Sequence, residues 1–77
     1  MKRNIHIVKR GPNWVGKEEN RNKPILTEKI QKDAIKEVRN ILHNNKDGGE
    51  LFIHGEDGKI RARDTISPAH DPRSSKG

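Results

Sequence analysis

Residues 50–66, ELFIHGEDGKIRARDTI, contain two short apolar runs on either side of a turn sequence, GEDG at residues 55–58. Leu51 and Ile53 alternate with Phe52 and His54. In residues 60–66, Ile60, Ala62, Asp64 and Ile66 alternate with Arg61, Arg63 and Thr65. Such alternation is typical of a strand with one buried face. The Asp-Gly pair in the turn can adopt the positive φ of a tight hairpin turn. The stretch therefore predicts a β-hairpin. It also brings together four residues of functional interest: His54, Arg61, Arg63 and Asp64.

The apolar residues before this hairpin recur with the spacing of a helix. They lie on one face at 3.6 residues per turn: Ile30, Ala34, Ile35, Val38, Ile41 and Leu42. Thr27 is predicted as the N-cap, with Glu28 favourable in the first turn. The sequence HNNKDGG at residues 43–49 would end the helix, because Asn and Gly are typical of helix C-termini. The pattern predicts a helix over residues 28–44.

The N-terminal part of the chain predicts a second hairpin. NIHIVK at residues 4–9 is rich in β-branched residues and predicts a strand, and RGPN at residues 10–13 predicts a turn. WVGKEE at residues 14–19 predicts another strand, in which Gly16 indicates a bulge or a close approach. Trp14 is interpreted as a core anchor, or a cap on the sheet, rather than a recognition residue.

The predicted order of elements is β-β-α-β-β, which makes the fold α+β. An antiparallel sheet with one helix packed on one face buries the apolar side of each element against the other. Residues 1–66 would form this single α+β domain. Residues 67–77, SPAHDPRSSKG, predict a flexible, disordered C-terminal tail because of their Pro, Ser and Gly content.

The composition limits the functions open to this chain. It has 77 residues, of which 27% are hydrophobic and 36% charged, and a net charge of +6. A single domain of this length leaves little room for a deep active-site cleft. The sequence has no cysteine, no apolar stretch long enough for a membrane helix and no secretory signal pattern. These observations predict a soluble, cytoplasmic protein with no membrane association.

Strand alternation gathers aromatic and basic residues on the sheet face away from the helix. If Ile5, Ile7, Leu51, Ile53, Ile60 and Ala62 face the helix, the other face carries His6, Val8, Phe52, His54, Arg61, Arg63 and Thr65. Such a face could contact phosphates and stack on bases. It could equally bind a protein partner or a second copy through Phe52 and Val8, or be an ordinary charged surface.

The leading hypothesis is nucleic-acid association, because a basic protein attracts phosphate groups. The residues predicted to bind nucleic acid or another partner are His6, Phe52, His54, Lys59, Arg61, Arg63, Lys9 and Arg10, helped by Lys2 and Arg3. Residues 47–58 oppose this hypothesis, since they contain four acidic residues and no Lys or Arg. The alternative is a protein-interaction module, either a homodimer or a modulator or inhibitor of a host protein.

Neither catalysis nor metal binding is predicted. The four histidines, His6, His43, His54 and His70, show none of the spacings of a metal-binding motif. Under the assumed register, Asp64 lies on the opposite strand face from His54. The sequence GEDGK shares only glycine and lysine with a phosphate-binding loop. We therefore expect a small, non-enzymatic accessory protein without a metal or a cofactor.

The whole layout resembles a family of small bacterial and phage proteins, the domain of unknown function 2188. The resemblance rests on an N-terminal IHIV strand, a tryptophan shortly after it, an AI pair in the helix and a closing DPRSSKG. Its most specific part is the hairpin pattern IHG-x-DG-x-I-x-x-RDT, residues 53–65. The resemblance implies the same order of elements and a bacterial or phage origin. It implies no activity and no functional residues.

Overall fold

The structure is a computed structural model that describes residues 2–68, in which one helix covers one face of a five-stranded sheet. The elements are β1 (Arg3–Arg10), β2 (Asn13–Glu18), β3 (Leu26–Glu28), α1 (Gln31–His43), β4 (Gly49–His54) and β5 (Ile60–Ile66). The order of strands in the sheet is β3-β2-β1-β4-β5. Strands β1 and β4 are parallel, and the other neighbouring pairs are antiparallel. The tail predicted for the C-terminus lies mostly at residues 69–77, outside the described residues.

The α+β class and the single helix on one face of the sheet are confirmed. The sheet is mixed rather than wholly antiparallel, because its central strands β1 and β4 run in the same direction. It also has a strand that was not predicted, β3, which pairs with β2 in the register Val15↔Thr27. The prediction of Thr27 as a helix cap is therefore wrong, since its backbone belongs to the edge of the sheet.

Helix α1 begins at Gln31 and ends at His43, within the predicted range of residues 28–44. The residue at its N-cap position is Ile30, whose side chain makes no capping hydrogen bond. The buried helix residues, Ala34, Val38 and Leu42, follow one another at intervals of four. Packing of this apolar stripe, rather than cap chemistry, stabilises the helix.

The core lies between α1 and the central strands of the sheet. Ile5, Ile7 and Leu51 are fully buried there against the apolar stripe of the helix. Trp14 belongs to the same cluster and is only 8% exposed, which confirms its interpretation as a core anchor. Each such side chain contributes about 1.5–3 kcal/mol on burial. In a chain with so few apolar residues, this cluster is the main source of stability.

Gly16 lies on β2 where side chains of α1 and β3 pack over the strand. A Cβ atom at this position would be 3.1 Å from Leu26 Cγ and 3.2 Å from Val38 Cγ2. The absence of a side chain therefore allows Leu26 and Val38 to pack over the strand. The predicted close approach at Gly16 is confirmed.

A β-bulge divides the pairing of β4 with β5. Ile53 pairs with Ala62 and His54 with Ile60, so Arg61 is the extra residue between the two pairs. An extra residue interrupts the alternation of side chains along a strand. Ile60 consequently shares a face with His54 and is 55% exposed. The prediction that Ile60 faces the helix is wrong, while Ala62 keeps the predicted face by register but is exposed.

Two carboxyl groups meet where β3 lies beside the helix. The pKa of Glu28 is raised above its ordinary value of 4.5 by a hydrogen bond with the side chain of Glu37, by burial, and by the charges of Glu37 and Asp33. A carboxyl whose pKa is higher in the folded state stabilises the fold fully below its unfolded pKa. That contribution is lost as the pH rises through the folded pKa. At neutral pH the two ionised groups therefore repel each other.

We expect Glu37→Gln to raise the melting temperature at pH 7, because it removes this repulsion and supplies an amide donor for Glu28. The gain should shrink as the pH falls below about 4.5, where Glu28 is protonated in both states. Thermal unfolding followed by circular dichroism at several pH values measures the difference. Glu56→Gln is the matched control, because it removes one negative charge beside Lys9 instead. A gain that is equal at acid and neutral pH would contradict this account.

Candidate functional site

The sheet face opposite α1, here called the outer face, presents a row of three side chains across neighbouring strands. His6 of β1 lies beside Phe52 of β4, and Phe52 lies opposite Arg63 of β5. His54 lies on the same face and bonds with His6. Strand alternation had placed these four residues together, and the structure confirms that placement.

Phe52 is covered on both faces of its ring. The ring of His6 stacks on it, with 4.5 Å between centroids and 15° between planes. The guanidinium carbon of Arg63 lies 5.9 Å from the Phe52 centroid. Because β1 and β5 lie on opposite sides of β4, His6 and Arg63 approach from opposite sides. The three side chains form one stack that runs across the outer face.

His6 and His54 form a chain of three hydrogen bonds. His54 Nδ1 lies 2.9 Å from the carbonyl oxygen of Gly58, His54 Nε2 lies 2.8 Å from His6 Nδ1, and His6 Nε2 lies 3.1 Å from Glu19 Oε1. The carbonyl and an ionised carboxylate can only accept, so the three bonds need three ring protons. Two neutral imidazoles carry two. The pair can therefore form all three bonds together only when it holds one additional proton.

The other predicted residues lie at one end of the sheet, here called the turn end, where the C-terminus of β1 meets the β4–β5 turn. Lys9 Nζ lies 3.7 Å from Glu56 Oε2, which shows that the two segments meet. Arg10, Lys59 and Arg61 are exposed at this end. The side chain of Arg61 lies along Gly55, since a Cβ there would be 2.5 Å from Arg61 Nε.

Two of the predicted basic residues do not point to the outer face. Lys9 pairs with Trp14 on the helix side, and its Nζ lies 5.2 Å from the centroid of the indole ring. Arg3, predicted as a helper, forms an ion pair with Glu18 on the helix side, with 2.9 Å between Nε and Oε2. The hydrogen bond from Arg3 and its positive charge lower the pKa of Glu18. Both cations therefore have structural partners.

Among the described residues, four basic side chains of the outer face and the turn end form no ion pair, whereas three acidic side chains near them each contact another group of the protein. Within residues 2–68, no ion pair involves four basic residues of the outer face and the turn end: Arg10, Lys17, Lys59 and Arg61. Glu50 accepts a hydrogen bond from Thr65 at 3.0 Å and pairs with Arg63 at 3.5 Å. Glu56 pairs with Lys9, and Asp57 accepts the backbone N–H of Lys59 at 3.1 Å. These three acids of the segment 47–58 are therefore bound internally.

Sequence reasoning missed Lys17 and Glu19. Lys17 pairs with His6, and Glu19 accepts from the same ring, so both belong to the outer face. A shallow depression of about 340 Å³ there is lined by His6, Val8, Lys17, Glu19, His54 and Gly58. The short β1–β2 turn fixes this register, so counting forward along the strand from buried Trp14 would have placed Lys17 on the outer face.

The outer face does not assemble a metal site or a catalytic triad from the described residues. All four ring nitrogens of His6 and His54 are engaged in the chain of hydrogen bonds. Asp64 lies on the helix side, where it accepts from Arg39 Nη2 at 2.6 Å. Within residues 2–68, no group of three or more His, Asp and Glu side chains is arranged to hold a metal ion. The same residues contain no helix long and apolar enough to cross a membrane.

Comparison with known protein families gives a match over most of the chain. The sequence profile of a family described as "Uncharacterized protein conserved in bacteria (DUF2188)" matches residues 5–66. These residues run from the first buried residue of β1 to the end of β5. No curated protein and no solved structure matches the chain.

Proposed function

The chain belongs to the bacterial family DUF2188, and from the geometry of this member we propose that it associates with nucleic acid without catalysing a reaction. The interface is the outer face together with the turn end. Its phosphate-binding residues are Arg10, Lys17, Lys59 and Arg61.

The observation that carries this proposal is the difference between cations and acids in that region. The four cations have no ionic partner in the described part of the chain. Glu50 and Glu56 each have an internal ionic partner, and Asp57 accepts a backbone hydrogen bond from Lys59. An unpaired cation on an exposed surface can exchange its counterions for phosphate oxygens at little structural cost. The acidic segment 47–58 opposes this less than its charge alone suggests, because its carboxylates are directed to groups within the fold.

Such contacts give affinity with little sequence selectivity, since phosphates carry no sequence information. Each neutralised phosphate of duplex DNA changes the slope of log K against log salt concentration by about −0.9, so four contacts give about −3.6. The affinity should then fall about 150-fold between roughly 50 and 200 mM salt. This steep dependence distinguishes phosphate binding from an apolar interface.

The alternative, a homodimer or a modulator of a host protein, has less surface available. Phe52 and Val8, on which it was centred, are half-buried. The large exposed apolar side chains, Ile25, Ile30 and Ile60, are divided between the β3 side and the β5 side of the sheet. The described residues therefore offer no single apolar patch for a stable dimer.

Fluorescence anisotropy with a short labelled duplex over a salt series tests the proposal. The double variant Lys59→Gln/Arg61→Gln should reduce the magnitude of the slope by about 1.8, because two phosphate contacts are lost. Lys32→Gln/Lys36→Gln is the matched control. It removes the same charge from exposed positions of α1, on the other side of the sheet, and should leave the slope unchanged.

Two results would contradict the proposed function. An affinity that does not depend on salt would exclude phosphate contacts as the source of binding. Equal changes of slope in the two double variants would show that net charge, rather than the outer face, attracts the nucleic acid. Light scattering on the free protein at the same concentrations shows whether binding involves a monomer or a dimer.

A further inference from the structure

We infer that the nucleic acid is a duplex, contacted along its phosphate backbone, rather than a single strand held by its bases. The inference rests on the proposed function and specifies its ligand. It follows from the burial and the contacts of the aromatic rings, and from the charge density of the two kinds of nucleic acid.

Proteins that bind single strands without sequence preference combine a basic surface with exposed aromatic rings on which successive bases stack. This chain has one tryptophan, one phenylalanine and no tyrosine. Trp14 is 8% exposed and contributes to the core, with Lys9 over its ring. It offers no face to a base.

Phe52 is equally unsuitable as a stacking platform, although it lies on the outer face. His6 covers one face of its ring and Arg63 the other. A base could stack on Phe52 only by displacing one of these side chains. His6 is held in place by bonds to His54 and Glu19, and Arg63 by its ion pair with Glu50.

The histidine rings of the described residues do not replace these platforms. His6 uses one face on Phe52, and His54 lies 5.1 Å from the His6 centroid at an angle of 47°. His43 is at the C-terminal end of α1, where its Nδ1 lies 3.1 Å from the Ser67 carbonyl oxygen, away from the outer face. Within residues 2–68, the interface therefore offers no free aromatic ring face on which the bases of a single strand could stack.

Electrostatics alone then decides between the two forms. Duplex DNA carries about one charge per 1.7 Å of its axis, and each phosphate contact contributes a slope of about −0.9, against about −0.7 for a single strand. For four contacts the difference in slope is about 0.8. If the two forms bind equally at 1 M salt, this difference in slope makes duplex binding about sixfold tighter at 0.1 M salt.

The test measures the affinities of the full chain for a labelled duplex and for each of its separated strands, in the same buffers. The duplex should bind about sixfold more tightly at 0.1 M salt, and the emission of Trp14 should not change when a single strand is added. In Phe52→Leu, which removes the aromatic ring, the ratio of duplex to single-strand affinity should stay about sixfold at 0.1 M salt, because neither form stacks on that ring. Circular dichroism confirms that the variant is folded.

The possible outcomes separate this inference from the proposed function. Single strands that bind as tightly as the duplex, or tighter, would overturn the inference while leaving nucleic-acid association in place. A loss of single-strand binding in Phe52→Leu would identify Phe52 as the stacking platform after all. If neither form binds even at low salt, the proposed function fails and the inference fails with it.

Discussion

Gly49→Ala is expected to lower the free energy of unfolding by more than about 4 kcal/mol, a large part of the stability of so small a domain. A Cβ atom at this position would overlap the carbonyl oxygen of Arg3 and come within 2.7 Å of Leu42 Cδ2. Arg3 is the partner of Gly49 in the parallel pair of β1 with β4, and Leu42 belongs to the core. The Leu42 side chain can shift only within the packed core, and the backbone carbonyl of Arg3 cannot move without separating the central strands.

The size of this effect follows from the marginal stability of small domains. Roughly 0.05–0.15 kcal/mol per residue gives about 4–12 kcal/mol for the 77 residues of this chain. A clash with backbone in the centre of the sheet is expected to cost more than about 4 kcal/mol. Urea denaturation followed by circular dichroism measures the loss.

Gly11→Ala is the control for Gly49→Ala. Gly11 has a φ of +60°, and a Cβ there would meet no atom within 4 Å. The substitution adds only the strain of a left-handed backbone, about 1–2 kcal/mol. A Gly49→Ala protein as stable as Gly11→Ala would show that β1 and β4 are not paired as closely as described.

Leu51→Ala is expected to cost about 2–5 kcal/mol, the second-largest effect. Leu51 is fully buried on β4, where it belongs to the cluster formed with Ile5, Ile7 and the apolar stripe of the helix. Its truncation removes apolar contact area and leaves a cavity that α1 and the sheet cannot both close. The midpoint of urea unfolding should fall while the slope of the transition is unchanged.

Ile60→Ala is the matched control for Leu51→Ala, because both residues lie in the predicted hairpin and both are apolar. Ile60 is 55% exposed beyond the bulge, so its truncation should change stability by only about 0.5 kcal/mol. A large loss for Ile60→Ala would mean that β5 pairs without the bulge and that Ile60 faces the helix, as strict alternation predicts.

Only part of the candidate site could be predicted from the sequence. Alternation along β1, β4 and β5 correctly grouped His6, Phe52, His54 and Arg63, because this periodicity is a local property of a strand. The partners of the charged residues were not predictable. Lys9 and Trp14, like Glu50 and Thr65, lie within a predicted hairpin, but their contacts depend on side-chain conformations that the sequence does not give. Lys17 was overlooked although the short β1–β2 turn and buried Trp14 indicate which face it occupies.

The bulge shows how one local irregularity changes the face of the sheet on which a residue lies. The sequence of β5 alternates regularly from Ile60 to Ile66, and nothing in it identifies Arg61 as an extra residue. The bulge exists only in the pairing of β5 with β4. It moves Ile60 from the predicted core to the outer face.

The sequence by itself determined the strands β1, β2, β4 and β5, the helix and its buried stripe, because periodicity and turn residues act over short distances. Only the tertiary structure decided that the central strands β1 and β4 run parallel. The three residues of β3 add one reversal of the chain before α1. The helix therefore returns the chain to begin β4 parallel to β1, where without β3 it would have run antiparallel. A strand this short has too few residues to show a period, and its pairing with β2 is what defines it.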